Sequence, residues 1–237
     1  MKEYPLLMQG PLVRATLEGR KTQTRRPVQP WLGRNPPLWS RLIDQDGKPD
    51  FDWGELLYYG QDEDSLRHGF GFDDSGHGFQ ENDAWLTSPI GGAGDRLWVR
   101  ETWCLASAES ETTPDLRPMR GSRWCYYYAT EPDVEHEEGG NRSPWRPSLH
   151  MPRWACRLVL PLVSVRVERV QDITEEDARA EGVRRTENGW TDGANGYDVT
   201  SARAAFRELW ESIYGEGSWD ANPWVWVAQW DHIEVRK

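Results

Sequence analysis

The chain has 237 residues, a formal net charge of -11 and a mean hydropathy of -0.81, with 37% apolar residues. Its 15 Trp, 8 Tyr and 5 Phe supply enough apolar area for a packed core, which excludes wholesale disorder. The net acidity excludes nonspecific coating of duplex DNA, so any nucleic-acid contact has to be local.

The first thirty residues carry +4 and the remainder -15, which makes the N-terminal segment the basic end of an acidic chain. No run approaches the length of a membrane span, and the start MKEYPLLMQG lacks the basic and apolar regions of a signal peptide; the expectation is a cytoplasmic protein with no membrane partner. Cys104, Cys125 and Cys156 are odd in number and widely spaced, so they read as reduced thiols. With no Cys-x-x-Cys or His-x-x-x-His pair, neither a metal nor a cofactor is expected.

In chain order, an extended start at Tyr4 to Met8 leads to Gly10-Pro11, which opens a helix through Leu12, Val13, Thr16 and Leu17 that Gly19 closes. The helix delivers the chain into GRKTQTRR, residues 19–26. From about 31 to 93 the sequence is rich in Gly, Pro, Asp and Trp without periodicity, and reads as a long insertion. Gly94-Asp95 turns into an alternating strand from Arg96 to Trp103; a second polar insertion, about 105 to 122, precedes a strand at Trp124 to Ala129. Trp154 to Val170 is a strand region with Val163, Val165 and Val167 on one face, in which Pro161 marks an edge or a bulge. Thr174 then caps a short helix ending at Gly182, whose acids at 175–177 read as a solvated face. A longer helix covers Ser201 to Tyr214 with an apolar stripe of Phe206, Leu209, Trp210 and Ile213, and Trp224 to Trp230 forms a final strand. Non-sequential strands with helices between them imply a single α+β domain over 1–237, barrel-like, with two long insertions.

Chemistry concentrates in GRKTQTRR, where Thr22 and Thr24 sit among Lys21, Arg25 and Arg26, with Arg20 just before. Such a group holds a phosphate or carboxylate, or activates a threonine oxygen with a lysine beside it. On a regular strand Thr22, Thr24 and Arg26 share one face and Lys21, Gln23 and Arg25 the other, so Lys21 and Thr24 cooperate only if the chain bends between them. For a cation cluster alone, a solvated face is the simpler expectation.

Gly19-Arg20-Lys21 followed by Arg26 after a short helix resembles the Gly-x-Lys-x-x-x-x-Arg signature of the ASCH family, departing from it at Thr24, where the family more often has an acid. GDRLWVRETW, WRPSLHMPRWA, SWDANPWVWV and the helix from Ile173 to Ala178 are similar to segments of prophage-encoded ASCH-like proteins. The resemblance implies a PUA-like β-barrel with short flanking helices and a nucleoside, RNA or single-stranded nucleic acid as ligand. A more distant likeness to bacterial N(4)-acetylcytidine amidohydrolases implies a catalytic Lys21, Thr24 and Glu181: Lys21 draws the proton from Thr24, Thr24 attacks the acyl carbonyl, and Glu181 protonates the leaving amine.

Binding candidates beside Arg20, Thr22, Arg25 and Arg26 are Arg100, Glu101 and Trp103 at a strand end, where a carboxylate reads a base edge or simply pairs with a neighbouring arginine. Arg153 and Trp154 belong to a run of cations and aromatics from Trp145, suited either to base stacking or to clamping the barrel mouth. The resemblance, taken with these features, implies three functions: a hydrolase acting on a modified base or on RNA, a non-catalytic reader of modified bases or RNA, and, from the likeness to prophage-encoded proteins, a phage interaction protein.

Overall fold

The computed structural model describes residues 1–28, 59–61, 68–71, 85–107, 117–118, 123–132, 143–192 and 198–235. Among these it is an α+β structure. The extended start is β1 (Glu3–Leu7), and the first helix, α1 (Gly10–Leu17), has Pro11 in its first turn, where the missing N–H costs nothing, with Leu12, Val13, Ala15 and Thr16 buried. Gly19 follows at φ 72°, the left-handed conformation that ends a helix without a Cβ penalty. β2 (Gln23–Pro27) comes directly after.

Most of the first expected insertion lies outside the described residues, but three short strands within its span, β3 (Tyr59–Gln61), β4 (His68–Gly71) and β5 (Trp85–Thr87), form an antiparallel sheet. Asp95 then builds the turn before β6 (Arg96–Arg100): its carboxylate accepts from the backbone N–H of Lys2 at 2.7 Å and of Gly92 at 3.3 Å. The expected strand from Arg96 to Trp103 is two strands, because the chain leaves β6 at Glu101 and re-enters a different sheet as β7 (Trp103–Ser107). β8 (Arg117–Pro118) and β9 (Arg123–Tyr127) complete that sheet in the order β7-β9-β8, so residues 105–107 and 117–118 of the second expected insertion are strand.

The region expected as strand from Trp154 to Val170 is also divided. A 3-10 turn at Arg153–Ala155 precedes β10 (Leu158–Pro161), and β11 (Ser164–Arg169) follows in another sheet. Val163 falls in the link between them and is exposed, so it does not share a buried face with Val165. The next elements are α2 (Glu175–Ala180), the hairpin β12 (Arg184–Arg185) and β13 (Trp190–Thr191), α3 (Ala202–Tyr214), β14 (Trp224–Gln229) and β15 (Glu234–Val235). Thr174 caps α2 by accepting from Asp177 N at 3.0 Å, and Ser201 caps α3 by accepting from Ala204 N at 3.1 Å. Phe206, Leu209 and Trp210 face the core; Ile213, expected with them, is exposed.

Two sheets position the site. One has the order β1-β6-β10-β15, with β1 and β6 parallel; the other has the order β11-β14-β2, fully antiparallel. A single core packs between them and the helices, from Leu6, Leu97, Val99, Leu158 and Leu160 on one side to Val165, Val225, Val227, Phe206 and Trp210 on the other. A second, smaller cluster gathers Trp103, Cys125, Tyr127, Met151 and Ala155. All three cysteines are buried thiols.

Candidate functional site

The segment after α1 meets the end of α2. Lys21 pairs with Glu181 in an isolated antiparallel bridge, Thr22 N donates to Ala180 O at 2.8 Å, and Arg20 donates to Gly182 O at 2.7 Å. Gly182 makes this approach possible: at φ 102° it occupies glycine territory, and a Cβ there would lie 3.1 Å from both Ala15 and Lys21.

Lys21, Gln23 and Arg25 turn to one side, as strand alternation requires. The Lys21 ammonium is buried and donates to Glu181 Oε2 at 2.7 Å, to Glu181 O at 2.9 Å and to Gln23 O at 2.7 Å. An ammonium has three protons, and all three are used. Burial pulls the Lys21 pKa below its ordinary value, Glu181 draws it back up, and Arg26 and Arg25 depress it further. Arg25 completes the cluster: it donates to Glu181 Oε1 at 3.0 Å and to Glu168 Oε1 at 2.9 and 2.5 Å, and its guanidinium lies 3.3 Å from Asp177 Oδ2. Gln23 donates to Asp177 Oδ1 at 2.8 Å and to Asp177 O at 3.0 Å, while its own buried Oε1 has no partner among the described residues.

Asp177 is therefore not part of a solvated acidic face. Burial alone would raise its pKa, but the Gln23 amide and the charges of Arg25 and Arg166 outweigh that and hold it below the ordinary value. Glu175 is also employed, accepting from the backbone N–H of Ala202 at 2.9 Å and Arg203 at 3.3 Å at the start of α3. Glu168 and Asp177 carry no local sequence mark as partners of Arg25; they reach it across sequence separations of 143 and 152 residues.

Thr24 and Arg26 turn the other way. Thr24 is buried, and its hydroxyl accepts from Arg26 at 3.1 Å. Arg26 also donates to Arg25 O at 3.0 Å and Leu7 O at 2.9 Å, and its charge acts on the Tyr214 hydroxyl at the end of α3. Burial raises the Tyr214 pKa, Arg26 opposes it, and the Glu181 charge adds to it. Sequence reasoning did not single out Tyr214, because α3 periodicity marks only which residues are apolar. Thr22 is half-buried, and its carbonyl accepts from Trp230 N at 2.9 Å.

The structure thus brings together Lys21, Arg25 and Glu181 and, on the opposite face, Thr24 and Arg26. No hydrogen bond joins Lys21 to Thr24: those of each go to other groups.

Arg100, Glu101 and Trp103 lie at or just beyond the C-terminal end of β6, and Arg153 and Trp154 lie in the 3-10 turn before β10. The Glu101 carboxylate is buried and bidentate with Arg157, at 2.9 Å to each oxygen, so the neighbouring arginine that pairs with it is Arg157 and not Arg100. Burial raises its pKa and Arg157 counters. Arg157 also stacks over Tyr127, 4.1 Å from the ring centroid. Trp103 is buried, edge-on to Trp154 at 5.4 Å and covered by the Arg146 guanidinium at 5.2 Å. Arg100 and Arg153 both lie over the Trp98 ring, at 5.4 and 5.6 Å, and Arg153 pairs with Glu3 at 2.6 Å.

Among the described residues no group of three His, Cys, Asp or Glu is placed to hold a metal ion, and no helix is long and apolar enough to cross a membrane. Compared with protein-family models, with curated proteins and with solved structures, the chain matches none.

Proposed function

We propose that this protein is an ASCH-like domain with a PUA-like barrel that binds a nucleoside or single-stranded nucleic acid without hydrolysing it, as a reader of a base. The observation that carries this reading is the occupancy of the GRKTQTRR side chains. All three Lys21 protons are committed to Glu181 and Gln23, and Thr24 is committed to Arg26 on the other face of the strand. A general base needs a free lone pair within reach of the proton it removes, and an ammonium with three acceptors has none. Lys21, Arg25 and Glu181 form the charged floor under the segment; Arg26, Thr22 and Arg20 are the members with solvent access to a ligand.

A thermal-shift screen against a panel of nucleosides and short RNAs tests the reading, since a ligand that binds only the folded state raises Tm. A shift that survives Thr24→Val but is lost in Arg26→Ala is the expected result. Absence of a shift with every nucleoside and oligonucleotide removes it and leaves the protein-interaction role.

One observation favours a second reading, hydrolysis of an N-acylated base. The 2.7 Å contact between buried Lys21 and Glu181 is a path for a proton, and the Arg26 guanidinium on Thr24 Oγ1 stabilises an alkoxide there. In that reaction Thr24 Oγ bonds to the acyl carbon, the amine leaves with a proton, and water then cleaves the ester to release the carboxylate. Acetate release from N(4)-acetylcytidine, abolished in Thr24→Val and Lys21→Ala, replaces the reader by the hydrolase.

A further inference from the structure

Arg26 donates to the carbonyl of Leu7 on the open edge of β1, and this contact ties the segment after α1 to the rim of the β1-β6 sheet, whose solvent face lies beside it. The parallel register pairs Glu3 with Arg96, Pro5 with Trp98 and Leu7 with Arg100, and paired residues of neighbouring strands point to the same face. That face is not an ordinary polar exterior. Trp98 stands in its middle with the guanidinium groups of Arg100 and Arg153 against its ring; Leu7 is 44% exposed beside Arg100. Arg100 donates to the carbonyl of Leu149, which brings the segment before β10 onto the same face, with Leu149 58% and Trp154 48% exposed. Trp154 is anchored edge-on against buried Trp103, so its ring is held and yet open.

We infer that this face is a platform for single-stranded nucleic acid, on which bases stack on Trp154 and the Trp98–arginine group while Arg100 and Arg153 meet phosphates. The inference rests on the proposed reading of the site and makes its ligand a strand of several nucleotides in place of a free nucleoside. Two observations select this occupant. Aromatic rings interleaved with planar guanidinium groups match alternating bases and phosphates. Among the described residues the cations of the face, Arg96, Arg100 and Arg153, outnumber the acids that pair with them, Glu3 and Glu234, in a chain of net charge -11. An acidic chain that keeps arginines in excess on one aromatic face has a complementary surface for a polyanion there and repels it elsewhere. Open rings, not a closed base-shaped slot, make the platform tolerant of sequence.

The test is fluorescence anisotropy with an end-labelled single-stranded RNA of about ten nucleotides, beside a nucleoside thermal-shift assay, on the full chain. Trp154→Ala is expected to weaken RNA binding about tenfold or more, as loss of one stacked base does. Arg153→Ala is expected to lower the slope of log affinity against log salt by about one. Glu3→Gln, which removes the acid that pairs with Arg153, is expected to tighten binding, a gain that damage to the fold does not produce. If nucleosides bind and RNA binds no more tightly, with all three variants like the wild type, the platform is wrong and the nucleoside reading stands. If RNA binds with these sensitivities but Arg26→Ala has no effect, the platform stands and the reading of the GRKTQTRR segment falls. No RNA binding at low salt overturns the platform and gives the face to a protein partner.

Discussion

Two arginine-rich regions of this molecule use the same residue types to opposite ends. The Lys21 ammonium and the Arg25 guanidinium are buried and each has a carboxylate within 3 Å, whereas Arg100 and Arg153 lie over the Trp98 ring and the acid that pairs with Arg153, Glu3, is at the rim. Burial decides the difference. A buried charge without its partner is costly, so the first region is fixed and its members are interdependent; charges at the rim are cheap to uncouple, so the second is free to exchange partners.

This contrast is sharpened most by removing the shared acid. Glu181→Ala leaves Lys21 and Arg25 without their common counter-charge and is expected to cost about 4 kcal/mol in urea unfolding, within the range for breaking buried pairs. Lys21→Met keeps the volume and leaves Glu181 paired to Arg25; the expected loss is smaller, about 2 kcal/mol, chiefly from the acceptors it abandons. Thr174→Ala, which removes the cap that positions Asp177 and the end of α2, should cost about 1 kcal/mol by the same measurement. At the rim, Glu3→Gln should change stability by less than about 0.5 kcal/mol, and a cost comparable to that of Glu181→Ala would abolish the distinction.

Acid gives a further test. The folded pKa of Asp177 lies below its unfolded value, so between the two the unfolded chain binds more protons and stability rises with pH. The Asp177 contribution is present in full above the ordinary carboxylate range, near pH 4, and is lost as pH falls through the folded value. Asp177→Asn should flatten the acid limb of the stability profile, and a profile unchanged by it would place Asp177 outside the cluster.

Features set by neighbours in sequence were legible. Pro11 and Gly19 bound the first helix, Thr174 and Ser201 cap the next two, and the β-forming run from Trp224 is a strand. Alternation also separated Lys21, Gln23 and Arg25 from Thr24 and Arg26, the condition that decides whether Lys21 and Thr24 can cooperate. Features set by distant partners were not. β6 ends at Arg100 because Glu101 is drawn to Arg157, and no pattern around residues 96–103 encodes that attraction. Asp177 looks like any acid in a first turn until Gln23 and Arg25 arrive from the other end of the chain. Tyr214 belongs to the site through a hydroxyl that periodicity does not register. Ile213 fits the helical repeat but lies beyond the edge of what α3 covers.

The register of the β11-β14-β2 sheet also sets an order of assembly. β14 is its middle strand, pairing Ala228 with Thr24 and Val165, so β2 has no sheet partner until the C-terminal part of the chain has been made. During synthesis the GRKTQTRR segment emerges early and waits, its cations unmatched until residues 168–181 are made and its strand unpaired until Trp224 to Gln229 follow. Contacts of such sequence separation close slowly, because the loop between them has to be ordered before any contact rewards it. The charged floor under the site is then a late product of folding, and a nascent chain stalled before Trp224 carries a basic arm with no sheet to pair into.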